Sequence, residues 1–378
     1  MATAAAHMPT PKFTVVQQLR GISIALVLFW HVLNKTSLHY PFFGDPISID
    51  TFFIVGGFIM FYSSHNDFGQ PGAVSAYYWR RFARLIPLYW ICVIIYVLGI
   101  TIMADRPPIH PSAILATLFF IPYNFSLVNH SHTPDAVYGV GWFLDYLVLF
   151  DLVFGFFLFL PRAAGTIAAS ATLVLLVLVG LFPTDLSIVD AWTRPVALKF
   201  VAGLGLGYLY LYRERFGLVL KVRAPLLWFA ALFTVAFVGT YLGGSGLSLG
   251  DGLSLGGGFS PVGWRPFNSA VALCLAFVAI FAQAPKSNGL VARTLHAMGD
   301  ASYSIYLSHM LVLLVAFKIW HIAGLKAVLS PWIFVGLMLP ICVITGMYIY
   351  RYFEAPTTAN LIAWRTHRIA ANQLVQPS

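Results

Sequence analysis

Residues 17–35 read QQLRGISIALVLFWHVLNK, an apolar run whose two charges, Arg20 and Lys35, fall toward its ends. The hydrocarbon core of a bilayer takes about 20 mostly apolar residues of helix, so this stretch predicts a transmembrane helix over 16–35. Similar runs recur at about 47–64, 83–104, 139–160, 165–183, 194–212, 225–243, 265–283, 301–320 and 331–350. The composition agrees with them. Charged residues make up 9 % of the 378 positions and hydrophobic residues 59 %, against roughly 25 % charged in soluble domains. So few charges could not cover a soluble surface, which excludes a cytosolic enzyme, a secreted disulfide scaffold and a disordered chain. The runs are continuous instead of alternating, which excludes a β-barrel. The expectation is an all-α polytopic membrane protein with about ten transmembrane helices.

One further run, 112–128 (SAILATLFFIPYNFSLV), is short and carries Pro122 and Asn124. Charge parity treats it as a re-entrant or interfacial segment. With the N-terminus in the cytoplasm and this run not spanning, 15 of the 22 basic residues collect on the cytoplasmic side and 7 on the other. If it spanned, the counts would be 10 inside and 12 outside. The positive-inside rule therefore predicts ten spans, both termini cytoplasmic and a place in the cell (inner) membrane. The same rule accounts for the net charge of +9 without nucleic acid as a partner. The first run is long enough to stay in the membrane after a short polar start, so no cleaved signal is expected. The expected divisions are a cytoplasmic tail over 1–15, a transmembrane domain over 16–352 and a cytoplasmic tail over 353–378. Residues 243–260 repeat GLSLG twice and predict a flexible outer loop. Cys92, Cys274 and Cys342 lie inside apolar runs at no metal-ligand spacing, so no metal site is expected.

Ionisable groups inside a span are costly and mark candidate sites. In the first span Arg20 and His31 stand 11 residues apart, about 16 Å of helix rise, and close to three turns brings them to one side. Arg20 also suits a snorkelling anchor, and a lone buried histidine is often a satisfied core residue. The second span opens SIDTFFIVGGFIM (48–60), with Asp50 one turn in from the outer side. At the depth expected for His31, Asp50 would hold its imidazole in one tautomer. Gly56 and Gly57 allow close helix approach or leave room for a thin ligand. The loop into the third span reads YYWRRFARLIPLYW (77–90). Arg81 and Arg84 sit there beside Arg80, all arginine and no lysine, and planar guanidinium groups suit bidentate phosphate binding. The fourth span, GVGWFLDYLVLFDLVFG (139–155), holds Trp142, Asp145 and Asp151. In the ninth, GDASYSIYLSHMLVLL (299–314), Ser302, Tyr306 and His309 make one stripe. Arg351 and Glu354, three apart, predict a local ion pair.

Taken together, these segments resemble the acyltransferase-3 family of membrane O-acyltransferases, and most closely its stand-alone, exopolysaccharide-production type. Leu19-Arg20-Gly21 followed by His31 matches the family's R-x10-H signature. Asp50 to Phe58 matches its DxFFxxSGF segment, with Gly56 at the usual serine. Arg81 to Arg84, with Pro87 and Tyr89-Trp90, matches RxxR-x-x-P-x-Y-W. Gly299 to His309 matches GxxSYSxYLxH. At the start of the fourth span, where the family has W-[ST]-L-x-x-E, this chain reads Trp142-Phe-Leu-Asp-Tyr-Leu147, so Leu147 stands at the glutamate position.

The resemblance implies transfer of an acyl group, usually acetyl, from cytoplasmic acyl-CoA to a hydroxyl of an envelope glycan or its lipid-linked precursor. Acyl-CoA would be a co-substrate, with no permanently bound cofactor, and the other partners would be the glycan acceptor and membrane lipid. Arg20, Arg81 and Arg84 would hold CoA. His31 would be the general base, oriented by Asp50. Gly56, Gly57, Trp142, Asp145, Ser302, Tyr306 and His309 would line the substrate groove. Two rival readings are a secondary transporter with a buried His/Asp proton relay and an inactive relative acting as a structural partner, which Leu147 favours.

Overall fold

A backbone inside lipid must satisfy its own hydrogen bonds, so apolar runs of this length fold as helices. The computed structural model describes residues 13–36, 46–103, 109–124, 134–182, 187–218, 220–222, 224–244, 266–283 and 289–375. The helices are α1 (Thr14–Asn34), α2 (Pro46–Ser64), α3 (Ala73–Met103), α4 (Pro111–Leu118), α5 (Gly141–Phe156), α6 (Arg162–Val179), α7 (Ser187–Trp192), α8 (Val196–Leu211), α9 (Pro225–Gly244), α10 (Pro266–Phe281), α11 (Leu290–Asp300), α12 (Ser302–Ile322), α13 (Leu325–Val328), α14 (Pro331–Ile349) and α15 (Ala355–Val375). Among the described residues seven helices are long and apolar enough to cross a membrane: α1, α2, α3, α5 with the 3-10 turn that follows it, α6, α12, and α14 with its continuation. Apolar helices α8, α9 and α10 occupy the other three predicted spans. The glycine-rich loop over 243–260 falls almost wholly outside the described residues.

The ambiguous run 112–128 contains α4, whose eight residues rise only about 12 Å and cannot cross. It packs beside α3. The Tyr89 hydroxyl donates to the Thr117 carbonyl at 3.0 Å and the Trp90 indole to the Leu118 carbonyl at 2.9 Å, both midway along α3. Phe120 stacks on Tyr89 with centroids 4.6 Å apart and takes a φ of 58° at the turn. The returning strand, Pro134–Asp135, pairs antiparallel with Tyr123–Asn124. Two tyrosines then join this segment to α12: Tyr138 donates to the Leu307 carbonyl, and Tyr306 to the Val140 carbonyl at 2.9 Å.

Small residues bring the bundle's backbones together, as is usual between helices in lipid. A side chain on Gly57 would collide with the Phe200 carbonyl and Gly203 on α8, and one on Gly203 with the Ile54 carbonyl on α2. Gly21 meets α11 at the Leu295 carbonyl, and Gly299 meets α1 at the Gln17 carbonyl.

Two boundaries differ from expectation. Helix α3 begins at Ala73 instead of 83, because the arginines that marked a loop are neutralised in place: Arg80 by Asp67 and Arg81 by Asp151, each at 2.6 Å. The expected C-terminal tail is largely helix. α14 runs through a π-helical turn, Tyr350–Glu354, into α15. α15 lies antiparallel to α3, with Thr358 bonded to the Ala83 carbonyl, the Trp79 indole to the Leu361 carbonyl and Arg365 to the Ser75 carbonyl. The turn also undoes the expected Arg351–Glu354 pair. Glu354 is buried and accepts from the Ser304 hydroxyl, while Arg351 is exposed, its guanidinium 5.7 Å from the Tyr352 ring centroid.

Candidate active site

Five helices line a half-open cavity of about 100 Å³. Helices α1, α3 and α12 contribute Arg20, Arg81, Arg84, Leu85, Ser302, Tyr303 and Tyr306. Helix α2 contributes Phe52, Val55, Gly56 and Ile59, spaced to form one face, and α5 contributes Phe143 and Leu147 one turn apart. The cavity is thus cationic where α1 and α3 reach it and apolar along α2 and α5. Gly56, Phe143 and Leu147, the three positions where the chain departs from the motifs quoted above, all line that apolar wall. A Cβ on Gly56 would lie 4.0 Å from Leu147 Cδ2.

The three arginines are held differently. Arg20 donates to the Gln17 side chain at 2.9 Å and to the Ser302 hydroxyl at 2.6 Å. Arg81 places its Nε 2.6 Å from Asp151 Oδ1, and the Tyr77 hydroxyl donates to the same oxygen at 2.6 Å. Arg84 makes no side-chain hydrogen bond or ion pair among the described residues, although Glu354 and Arg20 are near enough to interact electrostatically. Arg84 is half-buried at the cavity wall, and an anionic ligand there would give it a partner.

Beyond Tyr306 stand the two histidines. The His31 and His309 rings meet edge to face with centroids 4.9 Å apart, and the Tyr306 ring is 5.9 Å from His309. The His31 Nδ1 lies 2.9 Å from the Val27 carbonyl, and the His309 Nδ1 lies 3.3 Å from that of Ile305. A carbonyl only accepts, so each Nδ1 carries the proton and each Nε2 presents a lone pair. His309 is fully buried, and its Nε2 has no hydrogen-bond partner among the described residues.

Asp50 lies elsewhere. It is buried between α2, α8 and α10, paired with Lys199 and accepting from the Ser269 hydroxyl at 2.7 Å. Helix register explains why it is not level with His31. Phe13 packs on Phe58 and Tyr62 at 5.1 and 5.0 Å, fixing α1 against α2. From that contact His31 rises about 27 Å and Asp50 about 12–18 Å along antiparallel axes, which leaves His31 roughly 9–15 Å further out. The neighbour that the structure gives His31 is His309.

Of the other expected groove residues, Gly56, Ser302 and Tyr306 line the cavity, whereas Gly57, Trp142, Asp145 and His309 do not. Gly57 serves helix packing, and Trp142 packs on Phe143 and Tyr146 at 6.1 and 6.3 Å. The sequence does not mark Lys199, Ser269, Tyr77 or Phe143 as site residues. Lys199 carried the one available signal, an ammonium inside an apolar run.

A many-helix membrane protein that gathers arginines at a cavity inside its bundle, near a packed pair of histidines, defines a class: a polytopic membrane protein with a cationic cavity. The family is narrower. Residues 15–351 match the acyltransferase domain of the acyltransferase-3 family, and the chain belongs to it. It is a multi-pass membrane acyltransferase. A relative in Rhizobium meliloti (strain 1021), the exopolysaccharide production protein ExoZ, is 30 % identical over 315 residues, covering 79 % of this chain and 86 % of its own. No solved structure matches the chain.

Proposed function

We propose that the protein O-acylates a glycan: it moves an acyl group, acetyl in the first instance, from cytoplasmic acyl-CoA to a hydroxyl of an exported or envelope glycan or its lipid-linked precursor. The carrying observation is the arginine-lined cavity ending at Tyr306, one helical turn from His309 and its neighbour His31. The similarity to a protein of exopolysaccharide production supports the choice of acceptor. The proposed setting is the inner membrane, with ten spans and both termini cytoplasmic, so that Arg20, Arg81 and Arg84 face the side where CoA is found.

A cavity of about 100 Å³ is well below the roughly 300–1,000 Å³ of pockets that enclose a whole drug-sized ligand. It takes part of the donor, with the phosphates at the arginines, the nucleotide outside and the thin arm along the apolar α2–α5 wall. In the reaction, His31 Nε2 takes the proton of the acceptor hydroxyl as its oxygen attacks the thioester carbonyl carbon. The carbon–sulfur bond breaks, and the departing thiolate receives the proton from His31. His309 packs on His31 and holds the ring in place, the part the sequence had assigned to Asp50.

The test is CoA release from acetyl-CoA by the purified full-length protein in detergent with a membrane glycan fraction. His31→Ala is expected to slow release about 10²–10⁴-fold at an unchanged melting temperature, and Arg84→Ala to raise the KM for acetyl-CoA. Wild-type release by His31→Ala overturns the mechanism. No release by the wild type, with acetyl-CoA binding absent, returns the transporter and structural readings.

A further inference from the structure

Asp151 has no part in the reaction proposed above, yet it is a carboxylate only 4 % exposed inside the bundle. It does not line the cavity but stands behind Arg81, which does. Its Oδ1 lies against Arg81 Nε and accepts from Tyr77. The contact is an ion pair on the Nε side of the guanidinium, without hydrogen-bond alignment at Nε. The end-on fork of Nη1 and Nη2, the geometry that grips a phosphate with two parallel bonds, has no hydrogen bond among the described residues. Arg20 differs, because both of its Nη atoms are bonded to protein. Arg84 differs too, because no carboxylate lies within bonding distance of it. Arg81 alone of the three is both anchored and open.

We infer that Asp151, itself held by the Tyr77 hydroxyl, is a positioning residue that aims the Nη1–Nη2 fork of Arg81 at a phosphate of the donor. This rests on the acyl-CoA reading of the cavity. An arginine fixed from behind loses less side-chain freedom when it binds, so removing the anchor weakens phosphate recognition without touching the rest of the ligand.

Binding of CoA and of pantetheine, which has the thiol arm but no phosphate, to the purified full-length protein tests this. Asp151→Asn is expected to raise the Kd for CoA on the order of 10-fold, because charge-assisted bonds are about twice as strong as neutral ones, and to leave pantetheine binding unchanged. Asp151→Glu, which keeps the charge, recovers part of the loss. Added to Arg81→Ala, Asp151→Asn brings no further loss, since the two act as one unit. Equal weakening of both ligands, or losses that add, would make Asp151 a residue that only holds the fold and overturn the assignment. Should Asp151→Asn not fold, Tyr77→Phe carries the same test through the hydrogen bond that holds Oδ1. It is expected to shift CoA binding alone, and an unchanged Kd for CoA refutes the role. An Arg81→Ala variant that binds CoA like the wild type refutes the acyl-CoA reading itself.

Discussion

Asp50 and Lys199 pair where α2 and α8 pack, at 1 % and 5 % exposure. Breaking a buried pair by removing one partner strands the other, at about 3–5 kcal/mol. Replacing both with uncharged side chains removes that penalty. Asp50→Asn is therefore expected to lower the melting temperature in detergent, and Asp50→Asn with Lys199→Met to restore it together with CoA release. A double variant that is stable but inactive would return Asp50 to the chemistry. The site was half legible at this scale. Arg20, His31, Arg81 and Arg84 announce themselves as ionisable groups in or beside apolar runs. Their partners do not, because Ser302 is 282 positions from Arg20 and Asp151 is 70 from Arg81. The His31–Asp50 pairing failed for a related reason: a short connection fixes that two helices neighbour each other, not how far one slides along the other.

Between elements, two adjacent glycines do different work. Gly57 lies against the α8 backbone, and any side chain there must push α2 and α8 apart. Overpacking of this kind typically costs about 1–3 kcal/mol. Gly56 faces the cavity, where a methyl group would meet Leu147 at an ordinary contact distance of 4.0 Å. Gly57→Ala is expected to lower the melting temperature and Gly56→Ala to leave it unchanged. Gly56→Leu, which would fill the cavity, is expected to abolish CoA binding in a folded protein. Binding by Gly56→Leu at wild-type strength would show that the ligand takes another route. The elements were the most legible part of the molecule, because in lipid hydropathy alone dictates helix, and each predicted span contains one. The extension of α3 and the docking of α15 were hidden, since both depend on tertiary contacts: the arginine pairs of Asp67 and Asp151, and the Trp79 and Ser75 bonds to α15.

For the whole molecule, the proposed ten-span arrangement puts Arg215 on the cytoplasmic side and Lys326, in the short helix α13, on the other. Both are exposed. In a background lacking Cys92, Cys274 and Cys342, an impermeant thiol reagent added to intact cells is expected to label Lys326→Cys and spare Arg215→Cys. The opposite pattern would invert the bundle and leave the arginine cavity on the wrong side for CoA. In the expected orientation the Tyr306 ring, bonded to Val140 and 5.2 Å from Phe143, stands between the arginine cavity and the histidines. An unbroken polar shaft at this point would conduct protons, and a membrane crossed by such shafts runs down its proton-motive force. On the proposed reading, the thioester arm and the acceptor hydroxyl meet beside this ring, and an aromatic side chain there leaves the bilayer electrically insulated while the two substrates enter from opposite faces.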